Sequence, residues 1–427
     1  MPVDYDLVIL GGVIEGRIAA KIAVGYGART ALVEPPGLFA DGQKQRFLLK
    51  GLQQLGQIKQ RQAVGEWFGY DPPSGSLDWS ALTKWSLLAA ESQYPELSVA
   101  AMSAVGIDVV LEEPERLSRR MVLSTASRRL TTRGVLAAYG LVPVALPLLA
   151  SAEMPNAMDV VGSSETALAW AEALATVGVQ VRLVTNEILP EADEDLRRLV
   201  RSQLTATGIQ ITPIFEKSEF TLKVDPVEPA LTLPSFVQTT PSLKANCRLQ
   251  TKHSRLFACG STLGGSDNAR LAEYEARIAV SNALFLPNRR VDYGSVVQGY
   301  GRYAHAGLTQ AEAAARYGDD VQVWTASDAN SANLSRVSPL PEYCKLICVG
   351  DRLVGVHLLG EGAEGLACLL SKRLGQAVLA EGSWGGLGLV DLVFKSEEKP
   401  RHTRWQPGKW QRDWAENWFN WRRSQRS

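Results

Sequence analysis

The chain has few of the residues that would mark a disulfide-linked, metal-binding or membrane-spanning protein. Its 427 residues include five cysteines without a CxxC spacing, which favours a reducing compartment over a disulfide framework. Its longest apolar stretch, Leu141–Ala152, is too short to span a bilayer and contains two prolines. No basic segment precedes an apolar one at the start of the chain, so we expect a cytoplasmic protein.

An excess of one sign of charge is also missing. Lysine plus arginine and aspartate plus glutamate number 45 each, so no overall field would attract nucleic acid. The four histidines lack metal-ligand spacing, and each is expected to be a surface or a satisfied core residue: His253, His305, His357 and His402. Cys344 and Cys348 lie four residues apart in a strand pattern, which favours small buried thiols on one face over a redox pair.

The chain does have a strand–turn–helix–strand pattern at its start, from Asp6 to Glu34. An apolar run is followed by Gly11, Gly12 and Gly16, then by small helical residues and a second apolar run that ends in Glu34. This is the pattern of the first βαβ unit of a dinucleotide-binding fold, in which the closing acid binds a ribose hydroxyl. The sequence therefore predicts a Rossmann-like domain built on this segment.

The turn departs from the dinucleotide-binding pattern at its middle glycine. That glycine normally allows the backbone to approach a pyrophosphate, but the position here holds Val13. The pattern is thus strong evidence for a Rossmann-like fold and weak evidence for a bound dinucleotide.

A second βαβ unit lies between Met158 and Asn186. Its turn is a degenerate version of the first, with Gly162, Ser164 and Ala167 at the glycine positions. Two such units predict two nucleotide-type cores. Beyond Pro287 the strand and helix patterns alternate as in an α+β domain.

With these features the chain resembles the flavoprotein pyridine nucleotide-disulfide oxidoreductases, such as lipoamide dehydrogenase, glutathione reductase and mercuric reductase. Further motifs follow in the family's order: RGVLAAYG (Arg133–Gly140), LPEADEDL (Leu189–Leu196), TKHSRLFACGS (Thr251–Ser261), GRYAHAGLTQAEA (Gly301–Ala313) and YCKLICVGDRLVGVHLLG (Tyr343–Gly360). The resemblance implies an α/β protein with two Rossmann-like domains and an α+β dimerisation domain. It places an FAD-type domain at 1–150 and 251–290, an NAD(P)-type domain at 151–250, a dimerisation domain at 291–398 and a Trp-rich basic tail at 399–427.

The resemblance also implies cofactor-binding residues. These are Gly11, Gly12, Gly16, Glu34, Gly140, Gly260 and Ser261. FAD is the implied cofactor, but Val13, Tyr139 and Ser261 depart from the family pattern and leave its binding open. NAD(P)H is not expected to bind in the family manner, because Thr185 and Ala169 replace the acidic residues of the second unit.

The family's redox-active cysteine pair follows the first acidic residue. The corresponding stretch here, Pro35–Lys50, contains no cysteine. The segment directly after Leu374, where the resemblance implies an acid/base histidine, contains no histidine. A dithiol relay needs an attacking thiolate and a resolving partner. The sequence therefore predicts no catalytic residue and no disulfide reductase activity.

The tail combines tryptophan with arginine. Trp410, Trp414, Trp418 and Trp421 recur at helical spacing and are predicted to share one face. That face could pack on the protein's own body, dock a partner protein, or lie on an anionic membrane surface at the periphery. Together these features favour a non-catalytic or cofactor-weakened homodimeric scaffold, and the alternative is an FAD-dependent oxidoreductase with a non-disulfide acceptor such as a quinone.

Overall fold

Among the residues that the computed structural model describes, the strands form three sheets. The described residues are 3–67, 69, 77–140, 144–215, 220–224, 243–263, 269–300, 302–327, 342–376, 417–419 and 421. The strands are β1 (Tyr5–Leu10), β2 (Thr30–Val33), β3 (Asp108–Val110), β4 (Pro114–Leu117), β5 (Val122–Thr125), β6 (Arg129–Ala137), β7 (Ala157–Val161), β8 (Gln180–Val184), β9 (Gln210–Thr212), β10 (Thr221–Lys223), β11 (Leu256–Ala258), β12 (Gln298–Tyr300), β13 (Tyr303–Gly307), β14 (Val321–Ser327), β15 (Tyr343–Val349) and β16 (Arg352–Leu359). The helices are α1 (Ile14–Gly25), α2 (Leu38–Trp67), α3 (Trp79–Ser92), α4 (Val99–Ala104), α5 (Leu146–Leu149), α6 (Glu165–Val177), α7 (Glu194–Ala206), α8 (Ala269–Leu284), α9 (Gln310–Tyr317) and α10 (Ala363–Ser371).

The first sheet contains six strands that precede the second βαβ unit in the sequence and one, β11, that follows it. Strands β3, β2, β1, β6 and β11 pair in parallel in that order, and β6 continues into an antiparallel hairpin with β5 and β4. Because β1 lies between β2 and β6, its carboxyl end is the switch point where a doubly wound sheet opens a crevice. The glycine-rich turn begins at that end.

The second sheet is parallel throughout, in the order β10, β7, β8, β9. The third is antiparallel, in the order β12, β13, β16, β15, β14, and α10 packs against it. Two Rossmann-like sheets and a further α+β domain confirm the predicted fold class. Cys344 and Cys348 are buried together in the core of the third sheet, as their spacing predicted.

Helix α2 connects the first two domains. Gly56 lets it approach α6, since a Cβ there would lie 2.9 Å from Thr176 Cγ2. Leu48 and Leu52 share a buried core with Trp170 of α6. Helices α3 and α4 are separated near Pro95, because proline cannot donate a helical backbone hydrogen bond.

The described part of the tail packs on the first domain. Phe419 is buried, and its ring centroid lies 5.7 Å from that of Phe285, which follows α8. Trp418 is half-buried against the same ring at 6.4 Å, whereas Trp421 is 54% exposed. Of the tryptophans predicted to share one face, Trp410 and Trp414 lie outside the described residues. No helix in the described parts of the chain is both long and apolar enough to cross a membrane.

We expect Phe419→Ala to destabilise the first domain by about 3–5 kcal/mol, because it removes a fully buried ring from a packed core. Thermal unfolding followed by circular dichroism measures the effect. Trp421→Ala is the matched control, since it deletes a larger ring in the same segment but a more exposed one. Equal and small losses in both variants would mean that the tail does not anchor on the body.

Candidate functional site

The predicted cofactor residues converge on the turn between β1 and α1. A Cβ at Gly16 would lie 2.9 Å from Gly11 Cα and 3.0 Å from the carbonyl oxygen of Ala138, so these two glycines let the helix pack on the sheet. Gly12 has a φ of +124°, a conformation that favours glycine. Gly140, Gly260, Ser261 and Glu34 border the same turn through the contacts described next.

Two apolar side chains cover the backbone of the turn. Val13 packs so closely on Gly140 that a Cβ at the glycine would overlap both valine methyl groups. Leu38, the first residue of α2, packs on Gly12 in the same way. The two glycines therefore accommodate the protein's own side chains.

Glu34 is buried and paired within the chain. Arg17 Nε donates to Glu34 Oε2 at 3.2 Å, and Arg17 Nη2 donates to Glu34 Oε1, so both carboxylate oxygens are engaged. The guanidinium also donates to the carbonyl oxygen of Leu97 at 2.6 Å and stacks 3.7 Å above the Phe39 ring. The acid predicted to bind a ribose thus accepts a bidentate hydrogen bond from α1.

A second glutamate lies in the first turn of α1. Glu15 is 1% exposed, and its Oε1 accepts from the hydroxyl of Ser261 at 3.0 Å and from the Ser261 amide at 3.4 Å. Its Cγ would lie 2.7 Å from a Cβ at Gly260. A carboxylate therefore lies at the helix N-terminus, the position where anionic ligands usually bind.

The Gly260 amide is engaged by another acid. Glu275 Oε2 accepts from it at 2.6 Å, and Glu275 Oε1 accepts from the Tyr293 hydroxyl at 2.8 Å. Burial, together with the nearby charge of Glu15, raises the pKa of Glu275 above its ordinary value. Two buried carboxyl groups thus flank Gly260 and already occupy its amide and the space beside it.

Tyr139, which departs from the pattern that the resemblance implies, lies in the core of the first sheet. It is 1% exposed, and burial raises its pKa to about 12. Its hydroxyl makes no hydrogen bond to the described residues. Taken together, the side chains at the β1–α1 turn do not fit a dinucleotide held in the manner that the resemblance implies, because its binding groups already bind one another.

The second turn, after β7, carries a carboxylate in a similar place. Ser164 caps the N-terminus of α6, and its Oγ accepts from the Ala167 amide at 3.4 Å. Glu165 follows in the first helical turn and contacts His305 Nε2 of β13 at 3.2 Å. Thr185, at the place of the ribose acid, donates its hydroxyl proton to the carbonyl oxygen of Glu187.

His305 belongs to a cluster that we call the polar seam: Tyr303, His305, Lys345 and His357 of the third sheet, with Glu165, Asp193 and Asp195 of the second domain. The rings of His305 and His357 stack with centroids 5.5 Å apart, and the two residues are cross-strand partners. The expectation that each histidine is a surface or a satisfied core residue holds for this pair, since His357 is buried with two hydrogen bonds and His305 contacts Glu165. Their stacking on one another was not predicted. Both occupy inward-facing positions of neighbouring strands, which spacing along the chain does not reveal.

The hydrogen bonds of the His357 imidazole determine its tautomer. Its Nε2 lies 3.1 Å from the Leu308 carbonyl oxygen, which can only accept, so Nδ1 accepts from the Tyr303 hydroxyl at 3.3 Å. Burial, with the neighbouring His305, lowers the pKa of His357 to about 4. The ring is neutral at physiological pH.

Lys345 is 1% exposed and lies between two aspartates. Its Nζ is 2.9 Å from both Asp195 oxygens and 3.0 Å from Asp193 Oδ2. Burial opposes the charge of Asp195, but hydrogen bonds from Lys345 and Tyr343 outweigh it and hold the Asp195 pKa below its ordinary value. The ammonium has a partner for each of its three protons, so the seam joins two domains rather than offering a free nucleophile.

Sequence reasoning missed Glu15 and Arg17, the residues that occupy the first turn. The sequence does indicate these two residues, because their charges flank Gly16 among otherwise small or apolar neighbours. A charge in a segment expected to be buried predicts a buried partner.

Comparisons with known proteins agree with this architecture. A family model described as pyridine nucleotide-disulphide oxidoreductase matches residues 158–219. A dihydrolipoyl dehydrogenase of Bacillus subtilis (strain 168) is 26% identical over 330 residues, covering 65% of this chain and 71% of the relative. A glutathione reductase of Nostoc sp. (strain PCC 7120 / SAG 25.82 / UTEX 2576) is 22% identical over 427 residues, covering 85% of this chain and 92% of the relative.

We expect His357 to make stability fall as pH is lowered from about 6.5 toward 4. The unfolded chain takes up a proton on this imidazole near its ordinary pKa, whereas the folded chain resists protonation until about pH 4. The melting temperature of His357→Gln should therefore decline less steeply than that of the wild type. Glutamine can keep both hydrogen bonds without titrating.

His253→Gln is the comparison, because His253 lies before β11 of the first sheet and is only partly buried. Burial lowers the pKa of His253 as well, so this variant should flatten the profile less than His357→Gln does. A wild-type profile as shallow as that of His357→Gln would contradict the assignment of a neutral, buried ring.

Proposed function

Because this chain belongs to the pyridine nucleotide-disulfide oxidoreductase family, we propose that it is a member without disulfide reductase activity that serves as a dimeric scaffold. The observation that carries the proposal is the composition of α2. This helix begins four residues after Glu34, in the stretch where the resemblance implies a cysteine pair, and contains no cysteine. The first cysteine of the chain is Cys247.

Three of the five thiols support the same conclusion, whereas Cys247 is exposed and Cys368 is partly buried. Cys259, Cys344 and Cys348 are buried. Burial raises the pKa of Cys259 well above its ordinary value, that of Cys344 to about 12 and that of Cys348 to about 11. The thiolate is the nucleophile in disulfide exchange, so these groups are inert near neutral pH. Cys344 and Cys348 also lie about 13 Å apart along one strand, too far to form a disulfide with each other.

A scaffold needs a fixed arrangement of domains, and the contacts between the domains supply one. The polar seam joins the second domain to the third through the buried Lys345, which pairs with Asp193 and Asp195, and through the contact of His305 with Glu165. Helix α2 joins the first domain to the second through apolar packing. We include docking by the Trp-rich tail in the proposal, and Trp421 is a tryptophan of the tail that lies exposed.

We expect no turnover of lipoamide, glutathione disulfide or a thioredoxin-type disulfide with NADH or NADPH. The rate should lie at least about 10³-fold below that of a dihydrolipoyl dehydrogenase assayed alongside, because the nucleophile is missing. Nicotinamide oxidation at 340 nm, the absorbance of the reduced cofactor, is the measurement.

Turnover above background would contradict the proposal. A variant with serine at all five cysteine positions is the control: activity that persists in it would reveal a route without thiols, and activity lost in it would assign the chemistry to one of those residues.

We also expect a homodimer formed through the third domain, residues 291–375. Light scattering at micromolar concentration should give about twice the chain mass of 46.4 kDa. A mass that stays at the monomer value across a concentration series would contradict this part of the proposal.

A further inference from the structure

We propose that the dinucleotide groove at the β1–α1 turn is closed by the chain's own side chains, and that the protein folds and functions without FAD. This goes beyond the proposed function, since a protein without disulfide chemistry could still hold a flavin. Three places in the groove carry the inference: the helix N-terminus, the ribose acid and the backbone of the turn.

At the N-terminus of α1 the chain supplies its own anion. Glu15 accepts from the Ser261 amide and hydroxyl, and Glu275 accepts from the Gly260 amide. The two backbone amides that border the turn are therefore already hydrogen-bonded to carboxylates. A pyrophosphate would have to displace these hydrogen bonds and enter between two buried carboxyl groups.

At the ribose position the chain supplies its own hydrogen-bond donor. Both oxygens of Glu34 are bound by Arg17, and the guanidinium is held further by Leu97 and by the Phe39 ring. Glu34 is 1% exposed and Arg17 is 6% exposed. A ribose hydroxyl that replaced Arg17 would leave a buried cation without its carboxylate, which proteins tolerate poorly.

At the turn itself the backbone is covered. The side chains of Val13 and Leu38 fill the space next to Gly140 and Gly12, so that neither glycine has room for even one more carbon atom. The close approach of ligand to backbone that these glycines permit in a dinucleotide site is therefore taken by valine and leucine methyl groups.

The first experiment titrates the purified full-length protein with FAD and follows flavin fluorescence. We expect no flavin absorbance after purification and no saturable binding up to about 1 mM FAD. The double variant Val13→Gly/Glu15→Gly should bind at least about tenfold more tightly, because it removes both the bulk and the opposing charge. Saturable binding by the wild type that weakens in either single variant would overturn the inference.

The second experiment does not require the double variant to fold. In a closed groove, Glu34→Gln should lower the melting temperature of the flavin-free protein, because it leaves Arg17 buried and unpaired. Arg17→Met combined with Glu34→Gln should recover part of that loss. Glu361→Gln is the matched control, since Glu361 forms an exposed pair with Arg61 and should shift the melting temperature little.

The outcomes distinguish the closed groove from the proposed lack of disulfide chemistry. If Glu34→Gln leaves the melting temperature unchanged and the wild type retains flavin, the groove is an FAD site and the inference fails, while the proposal of no disulfide chemistry stands. If disulfide turnover is found without flavin binding, the proposed function fails and the closed groove stands.

Discussion

The buried ion pair of Arg17 and Glu34 is the constraint on which the first domain depends. Removing either partner of such a pair typically costs about 3–5 kcal/mol, because the other charge stays buried without compensation. The pair is tolerated here because every oxygen of the carboxylate is bound and the guanidinium also has Leu97 and the face of Phe39. It fixes α1, the end of β2 and the start of α2 relative to one another, and that arrangement closes the groove.

A buried charge paired with carboxylates also occurs between the second and third domains. Lys345 lies in the third sheet and binds two aspartates of the second domain, while His305 contacts Glu165 at the start of α6. In both Rossmann-like units a glutamate in the first helical turn interacts with the protein itself. The turns are retained as elements of the fold, since their glycines and serine still shape the strand-to-helix connection.

Much of the fold could be predicted from the sequence, because local periodicity and turn residues decide it. The βαβ pattern of Asp6–Glu34 and the α+β pattern beyond Pro287 both describe what the chain forms. The position of the candidate site could be predicted from the sequence, but the hydrogen bonds within it could not. Which of its groups bind one another depends on contacts between residues far apart, such as Glu15 with Ser261 and Arg17 with Leu97. The stacking of His305 on His357 was missed for the same reason.

The position of Phe419 has a consequence for how the protein is made. Its ring completes the core that α1 and α8 share, yet it follows the whole third sheet in the sequence. A ribosome adds roughly 5–20 residues per second and domains tend to fold as they emerge, N-terminal ones first. The first domain here must wait for β11 and then for Phe419, so an apolar face between its two helices stays uncovered until the third sheet has been synthesised. The first domain is therefore completed after the domains that follow it in the sequence.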